Sequence, residues 1–156
     1  MRLDELQAWL AAQIAALPEL AGIPVLQDDG DFAGLAGREA ALRASTVPGE
    51  KRGLAVTVIM PETAGVADQD RSTAALDVLL VLVVEENVPV NRGAGGFGKP
   101  APRVVQDLMD GLLGKTPPGT FCPLSLAQDP VLNFGKVNGV LRMALVFQYQ
   151  HVVTAA

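Results

Sequence analysis

The chain has 156 residues, a formal net charge of −5 and a single cysteine, which fits one domain and excludes an internal disulfide. Its pI is near 4.7, its twelve Lys and Arg are scattered and only 4% of its residues are aromatic. Neither a basic track for a phosphate backbone nor a stacking platform for bases is present. The apolar fraction of 49% and mean hydropathy of +0.30 suit a well-filled core, or a surface partly covered by neighbouring subunits. Asp4 and Glu5 stand where a signal peptide would carry bases, and the longest apolar run, Val78 to Val84, is far too short for a bilayer span. The expectation is a cytoplasmic protein without membrane contact.

In chain order, Leu3, Leu6, Leu10, Ile14 and Leu17 form one stripe at helical spacing, Asp4 and Glu5 suit the first turn, and Pro18 ends the helix. Trp9 falls off that stripe and marks the edge of the core or a contact with another subunit. Ile23 to Gln27 reads as a short strand. From Asp28 to Gly53 the chain is polar and rich in small residues, with a short helix expected over Gly37 to Ala44 and a charged turn at Gly49 to Gly53.

Leu54 to Met60, with four consecutive β-branched residues, reads as a strand, and Pro61 to Ser72 as a polar connection. Thr73 to Glu86 is the strongest strand: Leu76, Val78, Leu80, Leu82 and Val84 share one face, and Leu79, Val81 and Val83 the other. Apolar residues on both faces predict a central strand. A glycine-rich loop, Gly93 to Gly98, precedes a second helix running from Pro100 or Pro102 to Leu113, with Gly114 suited to the position past its end. Leu124 to Gln128 and Val131 to Phe134 read as short strands, Asn138-Gly139 as a tight hairpin turn, and Val140 to Val153 as a long strand. The expected fold is therefore α+β: one domain over residues 1–156, with a mostly antiparallel sheet of about five strands and two helices packed on it.

Candidate chemistry is sparse. The loop Gly93-Ala94-Gly95-Gly96-Phe97-Gly98-Lys99-Pro100 matches G-x-G-x-x-G and nearly matches G-x-x-x-x-G-K-[ST]. Pro100, however, has neither the hydroxyl that holds Mg²⁺ nor an N–H, and the acidic ribose-binding residue of a dinucleotide site is missing. A nucleotide-binding enzyme built on Gly93–Lys99 is the alternative from a different class. Asp28, Asp29, Asp31 and Glu39 do not meet the EF-hand pattern, because Gly30 and Phe32 stand at ligand positions. His151 is the lone histidine and Cys122 has no basic neighbour in sequence. No catalytic residue, metal ligand or cofactor site is expected.

One resemblance spans most of the chain. An N-terminal amphipathic helix leads to a strand ending in Asp28-Asp29. A strong strand then runs into Glu85-Glu86-Asn87-Val88-Pro89-Val90-Asn91-Arg92, followed by a glycine-rich loop, one helix and a closing hairpin ending in Phe147 to Val153. This organisation resembles the tail terminator and tail completion proteins of long-tailed bacteriophages and phage-derived particles. The resemblance implies a homo-oligomeric ring, usually hexameric, in the virion tail. Such a ring is assembled in the host cytoplasm, caps the tail tube protein, meets a head or neck connector protein, and lets DNA pass without specific binding. Another head-tail connector or a tail-tube component is the neighbouring possibility. The acidic charge agrees, since a basic lumen would hold phosphates. The expected assembly interface is Asn91, Arg92, Gly93, Gly95, Gly96, Phe97 and Lys99, together with Trp9. Four glycines in six residues leave the loop too much entropy to hold one shape unaided, while Phe97 needs cover.

Overall fold

The computed structural model describes residues 2–28 and 52–154. The short helix expected over Gly37 to Ala44 and most of the turn at Gly49 to Gly53 lie outside the described residues. The elements are helix α1 (Leu3–Ala15), a 3₁₀ turn (Pro18–Leu20), strands β1 (Val25–Asp28), β2 (Leu54–Ile59), β3 (Glu62–Gln69) and β4 (Thr73–Asn87), helices α2 (Val88–Asn91) and α3 (Ala101–Leu112), and strands β5 (Ser125–Val137) and β6 (Val140–Thr154). The sheet order is β1-β2-β4-β6-β5, with β3 also paired to β4. All pairings are antiparallel except β1 with β2.

The α+β architecture and the largely antiparallel sheet are as expected, with six strands where the sequence pattern indicated about five. Two readings are corrected. Pro61 to Ser72 is not a plain connection, because most of it forms β3 along the outer half of β4. Its composition conceals this: Ala64, Gly65 and Ala67 are poor strand formers, and the segment is paired only because β4 extends far beyond β2. The two short strands expected after Leu124 are one strand, β5, broken by register shifts between Leu126 and Val131 and between Asn133 and Lys136. The intervening Pro130 and Gly135 are bulge residues, which sequence patterning mistakes for strand ends.

The core lies between one face of the sheet and the two longer helices. Val78, Leu80, Leu82 and Val84 of β4 pair across the ladder with Tyr149, Phe147, Leu145 and Met143 of β6, and all eight are buried. Leu6, Leu10 and Ile14 of α1 and Val104, Val105, Leu108 and Leu112 of α3 complete the same cluster. The amphipathic stripe of α1 thus meets the sheet, and Trp9, half-buried, packs at the edge of this core. Gln7 joins the layers, its side-chain amide donating to the carbonyls of Asp28 at 3.0 Å and Val58 at 2.9 Å. The hairpin at Asn138-Gly139 has positive φ at both positions (51° and 79°), as a type I′ turn requires.

Candidate assembly surface

Residues 86 to 101 are organised around one buried carboxylate. Antiparallel register places Glu86 opposite Leu54 and Leu141, on the core face at the end of β4, and it is fully buried. Four hydrogen bonds satisfy it. Asn91 Nδ2 donates at 2.7 Å, Arg92 Nε at 2.9 Å and Nη2 at 3.2 Å, and the backbone N–H of Ala101 at 2.9 Å. The last bond occupies an N–H of the first turn of α3, which has no acceptor within its own helix. Burial by itself would raise the Glu86 pKa. The Arg92 hydrogen bond and charge, the Ala101 N–H and the Asn91 amide outweigh it and hold the carboxyl below its ordinary value.

The glycine loop is pinned by the same group. Asn91 Nδ2 also reaches the Lys99 carbonyl at 2.8 Å, and the Asn91 carbonyl accepts the Gly98 N–H at 2.8 Å. A Cβ at position 96 would lie 2.1 Å from the Asn91 carbonyl oxygen, so only glycine fits that close approach. Phe97 packs against the core and its N–H donates to the Arg52 carbonyl at 3.3 Å. The Arg52 guanidinium sits 3.8 Å from the centre of the Phe97 ring, a cation–π contact. Within the single chain the loop thus makes contacts of its own, through Gly96, Phe97 and Gly98.

The residues expected to form an interface divide accordingly. Asn91 is buried, Gly96, Phe97, Lys99 and Trp9 are half-buried, and Arg92, Gly93 and Gly95 are exposed. The fold brings Asn91 to Lys99 into one knot and leaves Trp9 apart on α1. The loop is a poor phosphate cradle. Its Gly96, Phe97 and Gly98 amides bond within the chain, and the Lys99 ammonium pairs with Asp107 at 2.6 Å and with the Glu19 carbonyl. Among the described residues no cluster of His, Cys, Asp and Glu could hold a metal ion, and no helix is long and apolar enough to cross a membrane.

What sequence reasoning missed is a second exposed region. Every residue of β3 is exposed. On β5, Val131, Leu132, Phe134 and Val137 are 38 to 61% exposed, and Phe121, before that strand, is fully exposed. Two apolar neighbours, Val131 and Leu132, were visible as strand residues, but alternation cannot tell a sheet edge from a sheet interior.

No family model matches the chain, and no curated protein matches it. Among solved structures it is similar to a chain of the virion of a native gene transfer agent particle. That likeness has a TM-score of 0.58 and 20% sequence identity, over 93% of this chain and 92% of the other. At that identity the likeness establishes a shared fold.

Proposed function

We propose that this chain is a structural subunit of a phage-like virion, and within that class a tail terminator. It forms a ring, hexameric in the family it resembles, that caps the tail tube, stops its polymerisation and meets a head or neck connector. The observation that carries the reading is the shared fold with a virion chain over nearly the whole length of both. The order of elements leading to the tail-terminator resemblance supports it independently. The exposed apolar residues of β5 also need cover that a free monomer would not supply. In this reading the protein has no catalytic role, resides in the virion tail after assembly in the host cytoplasm, and passes DNA through an acidic lumen without binding it. The exposed rim Arg92 to Gly95, with the half-buried Gly96, Phe97, Lys99 and Trp9, is proposed to meet a neighbouring subunit or the tube.

Native mass spectrometry and negative-stain imaging, with and without polymerising tail-tube protein, test the proposal. A closed ring, or a ring formed on tube ends that halts elongation, is expected. A protein that stays monomeric with tube protein present and leaves tube length unchanged would overturn it. Lateral stacking into the tube itself would instead identify a tube component.

A further inference from the structure

We infer that the free edge of β6 beyond Gln148 takes an extended segment of another protein, held as an added strand and selected by a Lys or Arg that reaches Asp77. The inference adds a partner contact to the proposed function and does not depend on how a ring closes.

β6 pairs with β4 along its whole length, from Val140 to Thr154. On its other side β5 begins at Ser125, opposite Gln148. Among the described residues no strand covers that side of residues 149–154. The chain before Ser125 turns away, because Leu124 exchanges backbone hydrogen bonds with Gly114 at 3.0 Å and Lys115 at 2.8 Å. Register fixes which groups are left free. Val137 and Val140 close the two-residue turn at Asn138-Gly139, so the N–H and C=O of Val140 point toward β5, as do those of every second residue after it. The Ser125 hydroxyl agrees, donating to the Gln148 carbonyl at 3.2 Å. Gln150 and Val152 therefore direct both backbone groups at the open side, and both residues are exposed.

A cleft of about 360 Å³ wraps this edge. Its volume is at the low end of the range that holds a discrete ligand. Asp77, Gln148 and Gln150 line it from the face away from the helices, Tyr149 lines it from the other face, and the fully exposed Phe121 completes the wall. Unpaired backbone groups beside a cleft are the setting in which a peptide adds a strand to a sheet, its alternate side chains read by the pocket.

Charge decides what fits. Asp77 is half-buried and makes no ion pair among the described residues, and no Lys or Arg lines the cleft. Gln150 lies opposite Asp77 in the ladder, so a strand added beside Gln150 stands two strand spacings, roughly 9.6 Å, from β4. Only a long side chain crosses that distance, and Lys and Arg bring the complementary charge. Two places along, the added strand meets Val152, 51% exposed, where a β-branched residue packs best. The occupant is thus an extended segment with a base and a β-branched residue at alternate positions. A second copy of this chain fits less well. Its β1 and β3 edges carry no base, and the one on β5, Lys136, follows a bulge.

A fluorescein-labelled peptide, Thr-Val-Thr-Lys-Thr-Val-Thr, tests the site by anisotropy against the full chain. Binding is expected, with the Gln150 and Val152 amides newly protected from hydrogen exchange. Asp77→Asn should weaken it about fivefold. The same peptide with Gln in place of Lys should bind both proteins equally, at the weaker level. Val152→Pro removes an outward N–H at an edge position, where proline is tolerated. It should abolish binding and leave the melting temperature of the subunit and the size of any ring unchanged. No binding of the Lys peptide, or equal binding by Asp77→Asn, would overturn the inference. Wild-type rings or dimers that Val152→Pro dissolves would assign the edge to a second copy, which overturns the inference and leaves the ring reading standing. Peptide binding by a wild type that stays monomeric with tube protein would remove the ring reading and uphold this one.

Discussion

The sheet has two halves built on the same long ribbon, β4 with β6, and they are finished in different ways. Where β4 runs from Val78 to Val84, the helices α1 and α3 cover one face and the side chains there are buried to near zero exposure. Where it runs from Thr73 to Asp77, β3 and the end of β6 are its neighbours, and β3 is exposed along its whole length. The helix-covered face of the first half closes on residues of its own chain, while β5 on its flank leaves Val131, Leu132, Phe134 and Val137 exposed. The second presents backbone and apolar side chains outward, which a solitary domain usually blunts. The buried contacts lie under the helices, and the exposed apolar side chains lie on the outer half and along β5.

Substitutions should separate the halves. Leu145→Ala, at a fully buried position beside Leu82, should cost about 2–5 kcal/mol through lost transfer energy and a residual cavity. Chemical denaturation of the subunit measures this, and a cost near zero would mean the helices do not pack here. Glu86→Gln keeps the shape but removes the charge that organises residues 91 to 101, and should cost about 1–3 kcal/mol. That difference should depend on pH. Glu86 has a lowered folded pKa against an ordinary value of 4.5, so its contribution is present above 4.5 and is lost as pH falls through the folded value. Wild type and Glu86→Gln should therefore converge in stability only in acid, and a gap that widens in acid would contradict the network.

Smaller effects are expected outside these groups. Lys99→Ala breaks the partly exposed pair with Asp107 and should cost at most about 1 kcal/mol. Calorimetry with ATP, GTP or NAD and Mg²⁺ should show no binding heat before or after the change, and micromolar affinity abolished by Lys99→Ala would revive the enzyme reading. Phe134→Ala, at 61% exposure, should shift subunit stability by no more than about 0.5 kcal/mol while impairing assembly. A large drop in the melting temperature of the subunit would place Phe134 in a core, not on an open edge.

Much of this architecture is legible in the amino-acid order, because its signals are local. The α1 stripe needs only 3.6-residue spacing, the β4 and β6 strands only runs of apolar and β-branched residues, and the turn before β6 only Asn138-Gly139. The lone histidine, the lone cysteine and Pro100 after Lys99 already left little material for catalysis. Tertiary structure decided the rest. β3 is a strand because β4 offers an unpaired edge, not because Ala64, Gly65 and Ala67 favour extension. The loop after Arg92 is held by Glu86, which follows Val84 on the core face of β4, is buried, and ties Asn91, Arg92 and Ala101 together. Which strands remain as open edges follows from the pairing order, a long-range property that no window of sequence contains, since hydrogen bonding between strands joins residues far apart in the chain.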